Sequence, residues 1–215
     1  MTRTARLWSL VGLAGFILLP WYMVPGGFLS FGWMADPAGE GASGLTSVLE
    51  GRFWLAGPGL ALLAALAAGS LLKDAQARAK AWVICGIAGL ALLAAQGLLI
   101  LGTGPRLAML GDAAQPGMGL GAFVTALALL FVTTTGISAR GQGRGDAFVT
   151  GLVGLIVALV GVFVFYPMAF ILIRAFELKG GAGFGVSEFL PRFLSSETWS
   201  LACLAGGWCG PAINS

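Results

Sequence analysis

Charge is what this chain lacks most. Only 10% of its 215 residues are Asp, Glu, Lys or Arg, where soluble domains carry about 25%. That scarcity excludes disordered chains, coiled coils and nucleic-acid readers, all of which need more charge. Histidine is absent altogether, which removes the commonest general base and metal ligand. The alternation of apolar and polar residues that marks a transmembrane barrel is missing too. What is present in excess is apolar surface. Hydrophobic residues make up 58% of the chain and mean hydropathy is +0.92. The 35 glycines would suggest low complexity in water, but glycine is common in transmembrane helices. These features describe an all-α, polytopic integral membrane protein.

Crossing about 30 Å of hydrocarbon at 1.5 Å per residue takes about 20 mostly apolar residues. Five stretches qualify: Leu7 to Met23, Phe53 to Leu72, Trp82 to Leu101, Leu120 to Ile137 and Phe148 to Ile173. None carries a charge in its core. The first could be mistaken for a signal peptide, because Arg3 and Arg6 precede an apolar run. Trp21 to Pro25 offers no small-x-small cleavage site, however, and Trp21 with Tyr22 suits the aromatic belt of an uncut span. The charges between spans set the orientation. Arg3, Arg6, Lys73, Arg78, Lys80, Arg140 and Arg144 fall in one alternate set of segments, with only Asp74 and Asp146. Arg52, Arg106, Arg174, Lys179 and Arg192 fall in the other, with seven acids. The positive-inside rule then predicts the N-terminus inside, five crossings and the C-terminal tail outside. The +3 net charge reads as orientation rather than as a site for an acidic ligand. Three regions follow: a four-span region over 1–146, a fifth span over 147–176 and an outer tail over 177–215.

Few residues inside the spans can carry chemistry. Gln96 and Thr125, with Thr133, Thr134 and Thr135, are the strongest polar groups there. They line a path or bond between helices, or each hydroxyl bonds back to a carbonyl one turn earlier. Proton relays need ionisable groups near the midplane, so a self-sufficient pump is not expected. No convergent set suggests catalysis, a cofactor or a metal, and no enzyme activity is expected. Ala61, Ala65 and Gly69 recur every fourth residue. They form a stripe that admits another helix, or they reflect the alanine content of this span. Gly141-Gln142-Gly143-Arg144-Gly145-Asp146 lacks the Lys-Ser/Thr of a phosphate loop and reads as a turn. Its Arg-Gly-Asp falls on the inner side, which removes an adhesion role. Cys85 reads as a small apolar side chain. Cys203 and Cys209 lie on the outer side, either as a disulfide or as two buried thiols; their spacing does not suit zinc. In the tail, Ser187 with Glu188 could cap a short helix that puts Phe189, Leu190, Phe193 and Leu194 on one face. Such a helix would lie in the outer interface; the alternative is a loop.

The run Val164-Phe165-Tyr166-Pro167-Met168 through Arg174-Ala175-Phe176 resembles the first core span of binding-protein-dependent ABC importer permeases. The group it most resembles is the iron(III)-type permeases, related to those for thiamine, sulfate and polyamines. There a Tyr/Phe-Pro step leads to a basic-x-Phe end, then a short outer helix (Ser187–Leu194 here), an aromatic (Trp199) and an Asn-Ser or Asn-Thr (Asn214-Ser215). The stretch Leu13–Trp33, with Leu-Pro-Trp-Tyr and Gly-Phe-x-x-Phe-Gly-Trp, and the Cys203–Cys209 insertion resemble longer members of that group. The resemblance implies a cytoplasmic ATPase and a periplasmic binding protein as partners, in a bacterial inner membrane surrounded by lipid, with no nucleic acid involved. One departure stands out: the Glu-Ala-Ala…Gly loop that docks on the ATPase is not in the sequence. The chain then corresponds to an N-terminal piece of a longer permease, or to a remnant that is not transport-competent alone. A rival expectation is a non-catalytic accessory subunit held among other membrane subunits.

Overall fold

The computed structural model describes residues 2–36, 39, 41–100, 117–141, 146–176, 185–205 and 207–210. Its helices are α1 (Thr2–Leu18), α2 (Gly44–Leu49), α3 (Ala56–Leu71), α4 (Ala75–Ile100), α5 (Leu120–Ala139), α6 (Ala147–Val160), α7 (Tyr166–Ala175) and α8 (Val186–Phe193). Among the described residues there is no β-strand, only two isolated bridges. Among the described residues, four segments are long and apolar enough to cross a membrane: Phe53–Leu71, Ala75–Gly97, Leu120–Ala139 and Ala147–Ala169. The chain is thus built as a helical, multi-pass membrane protein. It divides into two compact units, Met1–Val157 and Ala158–Ser215.

Local chemistry sets the helix ends. The stretch expected to reach Met23 stops being helical at Leu18, because Pro20 pushes Leu19 out of the helical region. At 17 residues, α1 spans about 25 Å, short of the hydrocarbon thickness. Ser43 caps α2 by accepting from the Thr46 N–H at 3.2 Å. Asp74 caps α4 through the Ala77 N–H at 2.6 Å, and Asp146 caps α6 through the Phe148 N–H at 2.8 Å. Each supplies an acceptor to the orphan donors of a first helical turn. Gly141 closes α5 with φ +90°, a left-handed position that suits glycine.

In the first unit α1 and α4 pack closely against α5, α3 packs on α1 and α4, and α6 meets α5 only lightly. The Leu120–Ala139 segment is the most enclosed of the four, 56% buried, while Ala147–Ala169 is 6% buried. The core forms three layers along the bundle. Ala5, Ala65, Trp82 and Val132 form one. Leu13, Leu62, Ala128 and Leu129 form the next. Phe16, Trp21, Leu55 and Ala122 form the third. Trp8 stacks on Phe131 at 4.3 Å between centroids.

Three helices meet α5 through the same element, two glycines three residues apart. On α1 these are Gly12 and Gly15, facing Ala128 and Val124. On α4 they are Gly86 and Gly89, facing Thr133 and Leu129. On α6 they are Gly151 and Gly154, facing Phe131 and Thr134. From α5 itself, Gly136 faces Ala79 and Val83 of α4. A methyl group on Gly136 would stand 2.8 Å from the Ala79 carbonyl oxygen, and backbone cannot swing aside as a side chain does. In lipid, where helices gain little hydrophobic drive by pairing, such close approach is the main source of association.

In the second unit the helical backbone widens into a π-turn at Gly161–Phe165 before α7 begins at Tyr166. Pro167 explains it: a proline has no N–H for the preceding turn, and its ring crowds the carbonyl four residues back. The outer-tail helix opens at Val186, so Ser187 lies in its first turn rather than at the cap position expected from the sequence. Phe176, Phe189, Phe193 and Trp199 form an aromatic row, with centroids 4.6, 5.7 and 5.4 Å apart. The Trp199 indole donates to the Phe193 carbonyl at 2.6 Å. Asn214-Ser215 and most of the 102–119 and 177–185 segments lie outside the described residues, as do residues 142–145.

The packing predicts opposite outcomes for one substitution at two sites on the bundle. Gly136→Ala meets backbone and should cost about 1–3 kcal/mol. Gly97→Ala, where among the described residues no atom beyond its own stretch of helix lies within 4 Å of the added methyl, should be neutral or gain up to ~1 kcal/mol of helix propensity. Thermal unfolding in detergent, followed by tryptophan fluorescence, checks this. A Gly136→Ala protein as stable as the parent would contradict the close-packing account.

Candidate functional site

Two polar side chains inside the bundle connect one segment to another. Thr125 is fully buried, and its hydroxyl donates across from α5 to the Gly12 carbonyl of α1 at 3.3 Å. Gln96 donates from α4 to the Trp54 carbonyl at 2.7 Å, in the 3-10 turn Phe53–Leu55 that leads into α3. The other three threonines bond within α5: Thr133 to the Leu129 carbonyl at 2.8 Å, Thr134 and Thr135 to that of Phe131 at 3.2 and 2.6 Å. Thr125 differs because its helix neighbour across the gap is Gly12, whose missing side chain leaves the carbonyl within reach.

The stripe on α3 faces α4. Ala61 lies beside Gly89, Gly69 lies beside Trp82, and the buried Trp82 indole donates to the Ala65 carbonyl at 3.0 Å. An indole N–H buried in an apolar bundle needs such a partner. Sequence reading did not single out Trp82, because a tryptophan near a span end also suits the interfacial belt. Cys85 is half-buried and packs against the layer that contains Trp82. Cys203 and Cys209 are joined as a disulfide, with their Cα atoms 4.7 Å apart. They belong to the second unit, and Cys203 opens onto its surface. Among the described residues no three His, Cys, Asp or Glu side chains gather as a metal site.

One end of the bundle is closed by chain rather than by side chains alone. The segment 20–23 runs between two others. Trp21 N–H donates to the Ala42 carbonyl at 3.0 Å and Met23 N–H to that of Gly117 at 2.7 Å. Gly119 N–H donates back to the Trp21 carbonyl at 2.9 Å. The Trp21 side chain is buried and meets Phe16 edge to face at 5.3 Å. Beyond the end of α1, Tyr22 lies under Arg52, whose guanidinium carbon is 5.2 Å from the ring centroid. Burial pushes the Tyr22 phenol above its ordinary range, while the hydrogen bond and charge of Arg52 pull it part of the way back. The Arg52 charge thus serves the closure of this end, a role that counting charges by loop did not show.

At the opposite end, two arginines meet the C-terminus of α3. Arg6 donates to the Gly69 carbonyl at 3.1 Å, and Arg78 donates to the Leu72 carbonyl at 3.1 Å. Both satisfy carbonyls left over at a helix end and complement its negative dipole. Arg78 also lies over the Trp82 ring, 5.8 Å from its centroid.

The Tyr22–Arg52 pair yields a pH prediction. The folded phenol titrates above its unfolded value, so its contribution to stability is complete below the ordinary phenol range. It is lost as pH rises through the folded value. In a Tyr166→Phe background, ultraviolet titration of the remaining tyrosine should show a midpoint above that of free tyrosine. Arg52→Gln should raise it further, because Arg52 favours the phenolate. A midpoint that falls on removing Arg52 would contradict the pairing. No family profile, curated protein or solved structure matches this chain.

Proposed function

We propose that this chain is the membrane-spanning N-terminal region of a binding-protein-dependent ABC importer permease of the iron(III) type, multi-pass in a bacterial inner membrane. Its substrate would be delivered by a periplasmic binding protein, and a cytoplasmic ATPase would power the cycle. In this reading the first unit supplies peripheral helices and α7 begins the permease core. In this reading the chain crosses five times, the first span being the Leu7–Met23 stretch that α1 begins. The observation that carries the proposal is the coincidence of two features on one segment. The residues that resemble the permease family, Val164–Phe176, coincide with the π-turn and Pro167-bearing helix. The long helix that leads into them, Ala147–Ala169, is 6% buried. A helix so bare on nearly every side is suited to further protein packing around it, as a permease core requires.

A second reading draws on a different observation. In the bundle around α5, Thr125, Gln96 and Trp82 turn their polar groups to the backbone of neighbouring segments. Among the described residues, the middles of its long apolar helices carry no Asp, Glu, Lys or Arg for a translocation path. That suits a non-catalytic accessory subunit of a larger membrane complex equally well.

Affinity purification from native membranes in mild detergent, followed by mass spectrometry, separates the two. The permease reading predicts an ATPase subunit in near-stoichiometric amount, together with peptides of further permease spans. A stable membrane complex without any ATPase would contradict it and select the accessory subunit.

A further inference from the structure

We propose that the end of the first unit where α1 begins is a binding site for the phosphate headgroup of an anionic phospholipid, held by Arg6 and Arg78. Helix packing brings these two residues, 72 positions apart in the chain, around the same short segment. The Arg6 stem and the Trp82 indole both lie against Gly69. A methyl group there would stand 3.5 Å from the indole and 3.7 Å from the Arg6 Cγ. Arg78 covers the other part of that indole. Position 69 is thus where the Arg6 stem meets the indole that lies under Arg78.

Each guanidinium carries five N–H donors, and each spends one on a carbonyl of the α3 terminus. The Arg78 Nε is enclosed and has no partner among the described residues. Arg6 is exposed and Arg78 half-buried, so donors remain at the surface. The acids that would ordinarily neutralise such a pair are engaged elsewhere. Asp74 holds the first turn of α4 at 2.6 Å, and Asp146 holds that of α6 at 2.8 Å. Among the described residues no carboxylate bonds to Arg6 or Arg78. Arg3, Lys73 and Lys80 are exposed beside them and carry further positive charge. A forked donor with an open side suits a phosphate diester.

The apolar residues beside the arginines favour a lipid over a soluble phosphate. Leu7 follows Arg6, Leu71 and Leu72 flank the carbonyls both arginines hold, and all three are exposed. A headgroup on the arginines would run its acyl chains along these leucines, which a free anion would leave uncovered. Basic pockets between helices at the membrane surface bind anionic headgroups for this reason.

The test uses the full chain in non-ionic detergent, with thermal unfolding followed by tryptophan fluorescence. Micelles doped with phosphatidylglycerol should raise the midpoint more than micelles doped with phosphatidylcholine, and added salt should shrink the difference. Inorganic phosphate alone should leave the midpoint unchanged. The double variant Arg6→Gln/Arg78→Gln should need about thirtyfold more phosphatidylglycerol for the same shift, whereas Arg140→Gln should behave as the parent. Equal effects of the two lipids would overturn the proposal. So would a shift reproduced by inorganic phosphate, or an Arg140→Gln variant as impaired as the double variant. If the double variant gives no cooperative transition, native mass spectrometry of the parent chain decides. Retention of phosphatidylglycerol over phosphatidylcholine as collision energy rises supports the site, and equal retention removes it.

Discussion

Everything in the first unit depends on how closely other helices approach α5. Inside a bilayer the hydrophobic effect does not pull one apolar helix toward another, since lipid tails are equally apolar. Dispersion between surfaces in contact must do it, and that falls away steeply with a gap of even half an ångström to one ångström. Glycine pairs on α1 and α4 remove the side chains that would hold the backbones apart. The result is a helix whose Ala128, Leu129 and Val132 are wholly enclosed. The same proximity brings the Thr125 hydroxyl to the Gly12 carbonyl.

The two ends of the bundle use charge differently. At one, Arg52 lies over Tyr22 beside a segment tied to two others by backbone hydrogen bonds. At the other, Arg6 and Arg78 hold the carbonyls that end α3, while Asp74 and Asp146 open α4 and α6. A chain with so few charges therefore uses many of them at helix termini, where hydrocarbon gives way to water and a backbone group would otherwise lack a partner. The cations at the second end are left with donors to spare, and the anionic lipid site rests on that surplus.

How much of this was legible in the sequence varies with the physical scale of each feature. The long apolar helices were legible, because hydrocarbon thickness imposes a length and a composition that no other environment requires. The stop at Leu18 was legible in principle from Pro20, but an apolar run continues through Met23 and masks it. The small-residue stripe Ala61, Ala65, Gly69 showed at the four-residue spacing, and it does face α4. The pairs Gly12/Gly15, Gly86/Gly89 and Gly151/Gly154 share the pattern Gly-apolar-apolar-Gly and were equally visible as text. Among 35 glycines they did not stand out, since only the fold shows that all three point at one helix. The Arg6–Gly69 and Arg78–Trp82 contacts depend on tertiary proximity, and charge counting reduced those residues to an orientation signal.

Photolabelling with a lipid-soluble diazirine in native membranes, mapped by mass spectrometry, tests the central place of α5 most directly. Leu129 and Val132 should remain unlabelled while Leu60 and Leu63 on the outer side of α3 react, since the first pair is enclosed and the second exposed. Labelling of Leu129 and Val132 at the level of Leu60 and Leu63 would contradict a bundle closed around α5.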